Sequence, residues 1–116
     1  MTLTLPWPDS RLLPNRKLHW AIKGRASRQA RWIAWAEAFK KTHPRIKSCT
    51  AVVTFHPPDK RRRDLDNLLR ACKPYWDGMV DAGLLVDDSC IREISVRMAE
   101  PSKDSRVEIE LTEVKG

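Results

Sequence analysis

No run of about 18 apolar residues occurs in this sequence, so nothing in it is built to cross a bilayer as a helix. The opening MTLTLPWPDS has neither the basic start nor the apolar stretch of a secretion signal. Cysteine is scarce: Cys49, Cys72 and Cys90 are odd in number and show no CxxC or Cys/His ligand spacing. A disulfide framework and a zinc site are thereby excluded, and reduced thiols of a cytoplasmic protein are expected. His19, His43 and His56 are scattered. Internal repeats and low-complexity segments are absent as well.

What is present is one modest core and a strong charge asymmetry. The 116 residues are 41% apolar, which fits a single compact domain over residues 1–116. A domain this small gains stability by self-association, so a homodimer is plausible on size alone. The net charge is +7, but residues 1–63 hold 15 Lys/Arg against three acids, while residues 64–116 hold seven against twelve. A basic half points to a polyanion, with nucleic acid ahead of an acidic membrane.

Hydrophobic spacing gives the element order. Leu3 to Leu5 reads as a short strand stopped by Pro6 and Pro8. Residues 9–25 read as a long basic loop carrying Arg16, Lys17, Lys23 and Arg25. Ser27 is the expected cap of a helix to about Thr42, ended by Pro44, with Trp32, Trp35, Ala36 and Phe39 as its core stripe. Residues 49–56, CTAVVTFH, read as a strand. Leu65, Leu68, Leu69, Cys72, Trp76, Met79 and Val80 recur at helical spacing, with a bend expected at Pro74 and a stop at Gly83. Ile94, Val96 and Met98, then Val107, Ile109 and Leu111, alternate with polar residues and predict an antiparallel hairpin with one buried face. The fold class is therefore α/β (α+β): a small mixed sheet of about four strands with two main helices on one face, in the order β-α-β-α-β-β.

The chemistry gathers where the charge changes sign. The basic run Lys60, Arg61, Arg62, Arg63 leads directly into Asp64-Leu65-Asp66-Asn67. Two carboxylates one residue apart can converge on a hard cation such as magnesium, and Asp87-Asp88 supplies a third ligand. A structural reading competes with this on even terms. Asp64 can cap a helix and Asp66 can sit in its first turn, each stabilising by roughly 0.5–2 kcal/mol. Asp66 and Arg70 can also form an ordinary i, i+4 pair.

RRRDLDNLLRA followed by DAGLLVDDSCI resembles the RusA family of phage-type Holliday junction resolvases, and LTLPWPDSRLLPNRKLHW resembles that family's N-terminal segment. The resemblance covers nearly the whole chain. It implies a small dimeric α/β endonuclease that resolves four-way DNA junctions by paired symmetric nicks in recombination and repair. It implies Mg2+, with Mn2+ able to substitute, held by Asp64, Asp66 and Asp88, with Asp87 as a neighbouring carboxylate. The family usually has lysine four residues after the second aspartate, where this chain has Arg70. A guanidinium can offset charge on phosphate but cannot donate a proton near neutral pH. Arg70 ranks first for charge stabilisation and Lys73, one turn on, second. DNA contacts are expected from Arg16, Lys17, Lys23, Arg25 and Lys60 through Arg63. A nucleoid location and a phage or prophage origin are also implied. The alternatives are a non-catalytic nucleic-acid-binding module and a metal-dependent nuclease for flaps, forks or RNA.

Overall fold

A computed structural model describes residues 1–14, 16–41 and 45–114. The elements are β1 (Thr2–Pro6), α1 (Trp20–Phe39), β2 (Cys49–His56), α2 (Leu65–Ala71), α3 (Lys73–Asp81), β3 (Ile91–Met98) and β4 (Arg106–Glu113). Short 3₁₀ turns at Ser10–Leu12 and Asp88–Cys90 precede α1 and β3. The expected β-α-β-α-β-β order holds, with the second helix divided in two.

The strands form one mixed sheet in the order β1-β4-β2-β3. Period-two alternation places Leu3, Leu5, Cys49, Ala51, Val53, Phe55, Val107, Ile109 and Leu111 on one buried face. The helices cover that face. The other face carries Thr50, Thr54, Glu108 and Glu110, so the glutamates of β4 lie away from the helices.

The expected hairpin is not formed. β3 pairs in parallel with β2, while β4 lies on the other side of β2, antiparallel to both β2 and β1. Alternation reports which face is buried and not which strand is the neighbour. The connection 99–105 crosses the end of β2, where the Ala99 N–H donates to the Phe55 carbonyl (2.9 Å) and the Ser102 N–H to that of Pro57 (2.8 Å). β3 becomes an edge strand, and its apolar side is only partly covered. Ile94 and Met98 remain 43% and 38% exposed.

Helix α1 also departs from expectation. It starts at Trp20, capped by His19, whose Nδ1 accepts from the Ala21 N–H at 3.1 Å. Much of the expected 9–25 loop is therefore ordered. Thr42 and Pro44, the expected helix end, lie outside the described residues, and α1 closes at Phe39. The tryptophan stripe is not core: Trp32 and Phe39 are 65% and 68% exposed, and Trp35 is half-buried against Phe39. Ala26, Ala30, Ala34 and Ala38 are buried instead, at regular i, i+4 spacing. The reason is the closeness of α3. A methyl group built on Gly78 would stand 2.3 Å from the Arg31 carbonyl oxygen and 2.8 Å from Ala34 Cβ. Two backbones this near leave room for alanine and none for an indole.

The expected break near Pro74 is present. α2 ends at Ala71 with Cys72 as its C-cap, and Pro74 sits in the first turn of α3, where its missing N–H costs nothing. Gly83 stops α3 with φ 79°, a conformation that favours glycine. The chain then bridges to Ile46 through Leu85, which aims Asp87 and Asp88 back along α3.

Candidate active site

The loop from β2 to α2 is built around Arg63. Asp59 Oδ1 accepts from the Arg61 N–H (2.9 Å) and from Arg63 Nη2 (2.7 Å). Arg63 Nη1 donates to the carbonyls of Asp59 (3.1 Å) and Arg61 (3.0 Å), and its guanidinium lies 5.3 Å from the Trp7 ring centre. Arg63 is thus occupied in ordering the loop, whereas Lys60, Arg61 and Arg62 project into solvent. The same hydrogen bonds hold the Asp59 carboxyl below its ordinary value, the Arg61 N–H contributing most and the Arg63 side chain next.

This loop delivers Asp64 to the start of α2. Asp64 takes the N-cap position with extended backbone but makes no side-chain cap bond. Its hydrogen-bond partner among the described residues is the Asn67 amide, at 3.5 Å. Asp66, in the first turn, is exposed and forms no ion pair with Arg70 among the described residues. The side-chain cap bond of Asp64 and the Asp66–Arg70 pair are therefore not formed, whereas Asp66 does take the first-turn place where a negative charge suits the helix dipole.

Asp88 lies toward the other end of α2. Its Oδ2 is 2.7 Å from Lys73 Nζ, which also reaches Asp77 Oδ1 at 2.9 Å. The hydrogen bond from Lys73 lowers the Asp88 pKa, and the bonds to Asp88 and then Asp77 raise that of Lys73. Asp87 accepts from the Ser89 hydroxyl at 2.8 Å. The seven residues of α2, roughly 10 Å of helix, stand between Asp64 and the Lys73 that holds Asp88. Among the described residues no three His, Cys, Asp or Glu side chains stand close enough to hold an ion together. Asp64 and Asp66 share one end of α2, and Lys73 balances Asp88 near the other.

The basic residues fall in two groups. Arg16 and Lys17 precede α1, with Lys23 and Arg25 on its first turns; Lys60, Arg61 and Arg62 stand on the β2–α2 loop. Between the Trp7–Leu13 segment and that loop lies a cleft of ≈ 710 Å³ with Asp64 on its wall. Sequence reasoning missed Trp7, Asp59 and Asn67. Asp59 was detectable as a turn-forming aspartate two residues before the Arg61 N–H that it accepts from. Trp7 carried no such signal.

Comparison with known proteins defines the class. The family described as Endodeoxyribonuclease RusA matches residues 14–112. Crossover junction endodeoxyribonuclease RusA of Escherichia coli (strain K12) is 32% identical over 120 residues, covering 97% of this chain and 94% of its own. Its counterpart from Enterobacteria phage 82 is 32% identical over 119 residues, covering 97% and 93%. A protein of Xylella fastidiosa is 37% identical over 95 residues, or 75% of this chain, which spans 60% of the Xylella protein's length. The class is that of small α+β endodeoxyribonucleases. Within it, the chain belongs to the RusA family.

Proposed function

We propose that this chain is a magnesium-dependent endonuclease that resolves four-way DNA junctions by paired symmetric nicks. The observation that carries the site assignment is Asp64: it holds the N-cap position of α2 and caps nothing. A carboxylate kept at a helix end without its usual structural task is available for an ion. The donor set suits magnesium or manganese, because Asp64, Asp66 and Asp88 offer hard oxygens, and Asp88 already holds a cation, the Lys73 ammonium. When bound, the metal ion supplies Lewis acidity to the scissile phosphate and the attacking water. Asp64 and Asp66 would hold that ion at the start of α2; Asp88, which is not grouped with them in this structure, would have to approach to complete its ligands, with Asp87 beside it. Arg70 and Lys73 offset negative charge on the phosphate and the leaving oxygen. Arg16, Lys17, Lys23, Arg25, Lys60, Arg61 and Arg62 carry the strand backbones, while Arg63 shapes the loop that presents them.

Matched nicks need two sites related by a two-fold axis, which a homodimer supplies. The β3 edge fits a second copy. If two such edges pair antiparallel about Ser95, Glu93 of each copy lies opposite Arg97 of the other, and Ile94 opposite Val96. That register pairs opposite charges and covers the exposed Ile94. Among the described residues no helix is long and apolar enough to cross a membrane. The reading puts the protein on DNA in the cytoplasm, and the phage relative favours a phage or prophage setting.

The test is a synthetic four-way junction incubated with and without magnesium, beside fork, flap, linear duplex and RNA. Symmetric nicks on the junction alone are expected. Binding without cleavage in magnesium or manganese would instead make the chain a DNA-binding module, and preference for another substrate would reassign its specificity.

A further inference from the structure

We propose that the cleft between the Trp7–Leu13 segment and the arginine loop is a subsite for one unstacked nucleotide of the strand being cut. This rests on the endonuclease reading above. At ≈ 710 Å³ the cleft falls in the range, about 300–1,000 Å³, that encloses organic ligands. Its walls match the two halves of a nucleotide. Trp7, Pro8 and Leu13 form an apolar side fit for a base, and Arg61 and Arg62 form a cationic side fit for its phosphate. Neither arginine side chain forms an ion pair among the described residues, although Arg61 lies within the field of Asp59. Asn67 adds an amide that can read a base edge, since it meets Asp64 only at 3.5 Å.

The aromatic wall is fixed before any ligand arrives. Trp7 stands edge-on to Phe55, with ring centres 6.0 Å apart and planes at 78°, and Arg63 lies over it. Asp64 lines the same cleft. A nucleotide seated there therefore neighbours the phosphate presented to the carboxylates. Extruding a base from continuous duplex breaks its pairing and its stacking on both sides, whereas stacking is already interrupted at a branch point. The cleft then favours cutting at branches and not along duplex, through the cost of freeing one base.

The test measures binding without metal, in EDTA, to four-way junctions that carry a single abasic site at each position flanking the nick. One position per cut strand is expected to weaken wild-type binding about tenfold, the scale of one base–aromatic stack. The same lesion should have no effect on Trp7→Leu. Because Trp7 rests on Phe55, folding of that variant is checked by thermal melting. The exposed Arg62→Ala gives a second reading: a neutral methylphosphonate on that nucleotide should weaken the wild type and leave Arg62→Ala unaffected. If wild-type protein binds and cuts the intact junction yet no position couples to Trp7 or Arg62, the subsite is wrong and the nuclease reading stands. If intact junctions are not cut in magnesium, the nuclease reading fails and the subsite falls with it. Displacement of junction by free deoxynucleotide monophosphate would assign the cleft to a mononucleotide and overturn the proposal.

Discussion

Lys73 Nζ lies 2.7 Å from Asp88 Oδ2, so an ammonium at the start of α3 holds the turn that leads into β3. In the proposed site the same carboxylate would be a metal ligand, which would free Lys73 to offset charge on the phosphate. Lys73→Ala is expected to bind the cation at least as well as wild type, because the competing ammonium is gone. Its turnover at saturating magnesium should fall about 10–100-fold. Junction cleavage titrated with magnesium separates the two effects. Unchanged turnover would remove Lys73 from the reaction. Arg70→Ala should fall by a similar factor, whereas Arg70→Lys retains much of the activity.

Asp64→Asn and Asp66→Asn are expected to abolish cleavage while junction binding in EDTA survives or tightens. Thermal stability should barely move in Asp64→Asn, which loses no cap bond, and fall only slightly in Asp66→Asn, which loses a first-turn charge but no ion pair. Loss of about 1 kcal/mol of stability with normal cutting would restore the capping role for these residues.

Gly78→Ala should destabilise the fold by about 1–3 kcal/mol or more, read by urea denaturation. The new methyl group meets backbone atoms, the Arg31 carbonyl at 2.3 Å and the Trp35 nitrogen at 2.9 Å. Backbone cannot swing aside as the end of a flexible side chain can, so α1 and α3 must separate.

Acid should weaken the fold below the ordinary carboxylate range. Asp9, Asp59, Asp81 and Asp88 all have pKa values lowered from 3.8, chiefly by hydrogen bonds from Arg11, the Arg61 N–H, Arg31 and Lys73 respectively. A depressed carboxylate contributes stability that is full above its unfolded value and lost as pH falls through its folded value. Melting temperature should therefore hold from neutral pH to about pH 5 and decline below pH 4. Asp59, Asp81 and Asp88 are exposed and Asp9 is only partly buried, so the decline is shallow and flattens further in high salt.

Cys72 should resist alkylation at pH 8 in the folded protein, because burial pushes its thiol up to about 12. Mass spectrometry after iodoacetamide treatment, with and without denaturant, checks this.

The sequence carried most of the element boundaries and little of the pairing. CTAVVTFH is β2 residue for residue, and Gly83 and Pro74 punctuate the chain where their backbone chemistry requires. Strand partners were hidden because alternation is the same for a strand beside β2 and for one across a hairpin. The inner face of α1 was misread because size was taken as the mark of burial. Four alanines four apart are weak on any hydrophobicity scale, yet they alone suit a helix lying against Gly78. At the candidate site, sequence named the aspartates and left capping and metal binding evenly balanced. The idle cap position of Asp64 could only be seen in three dimensions. The same holds for Arg63, one of a run of four basic residues in the sequence and alone among them in being folded back onto Trp7.

The pairing of β1 with β4 also bears on biosynthesis. Leu3 lies opposite Ile109, so β1 has its partner, among the described strands, in β4, which is synthesised after β2 and β3. A nascent chain that has reached only β3 holds an unmatched β1 and a β2 bare along one side. The four-stranded sheet closes, and the carboxylates gain their full scaffold, only after synthesis passes β4. Until then the exposed strand edges need shielding, as by a chaperone.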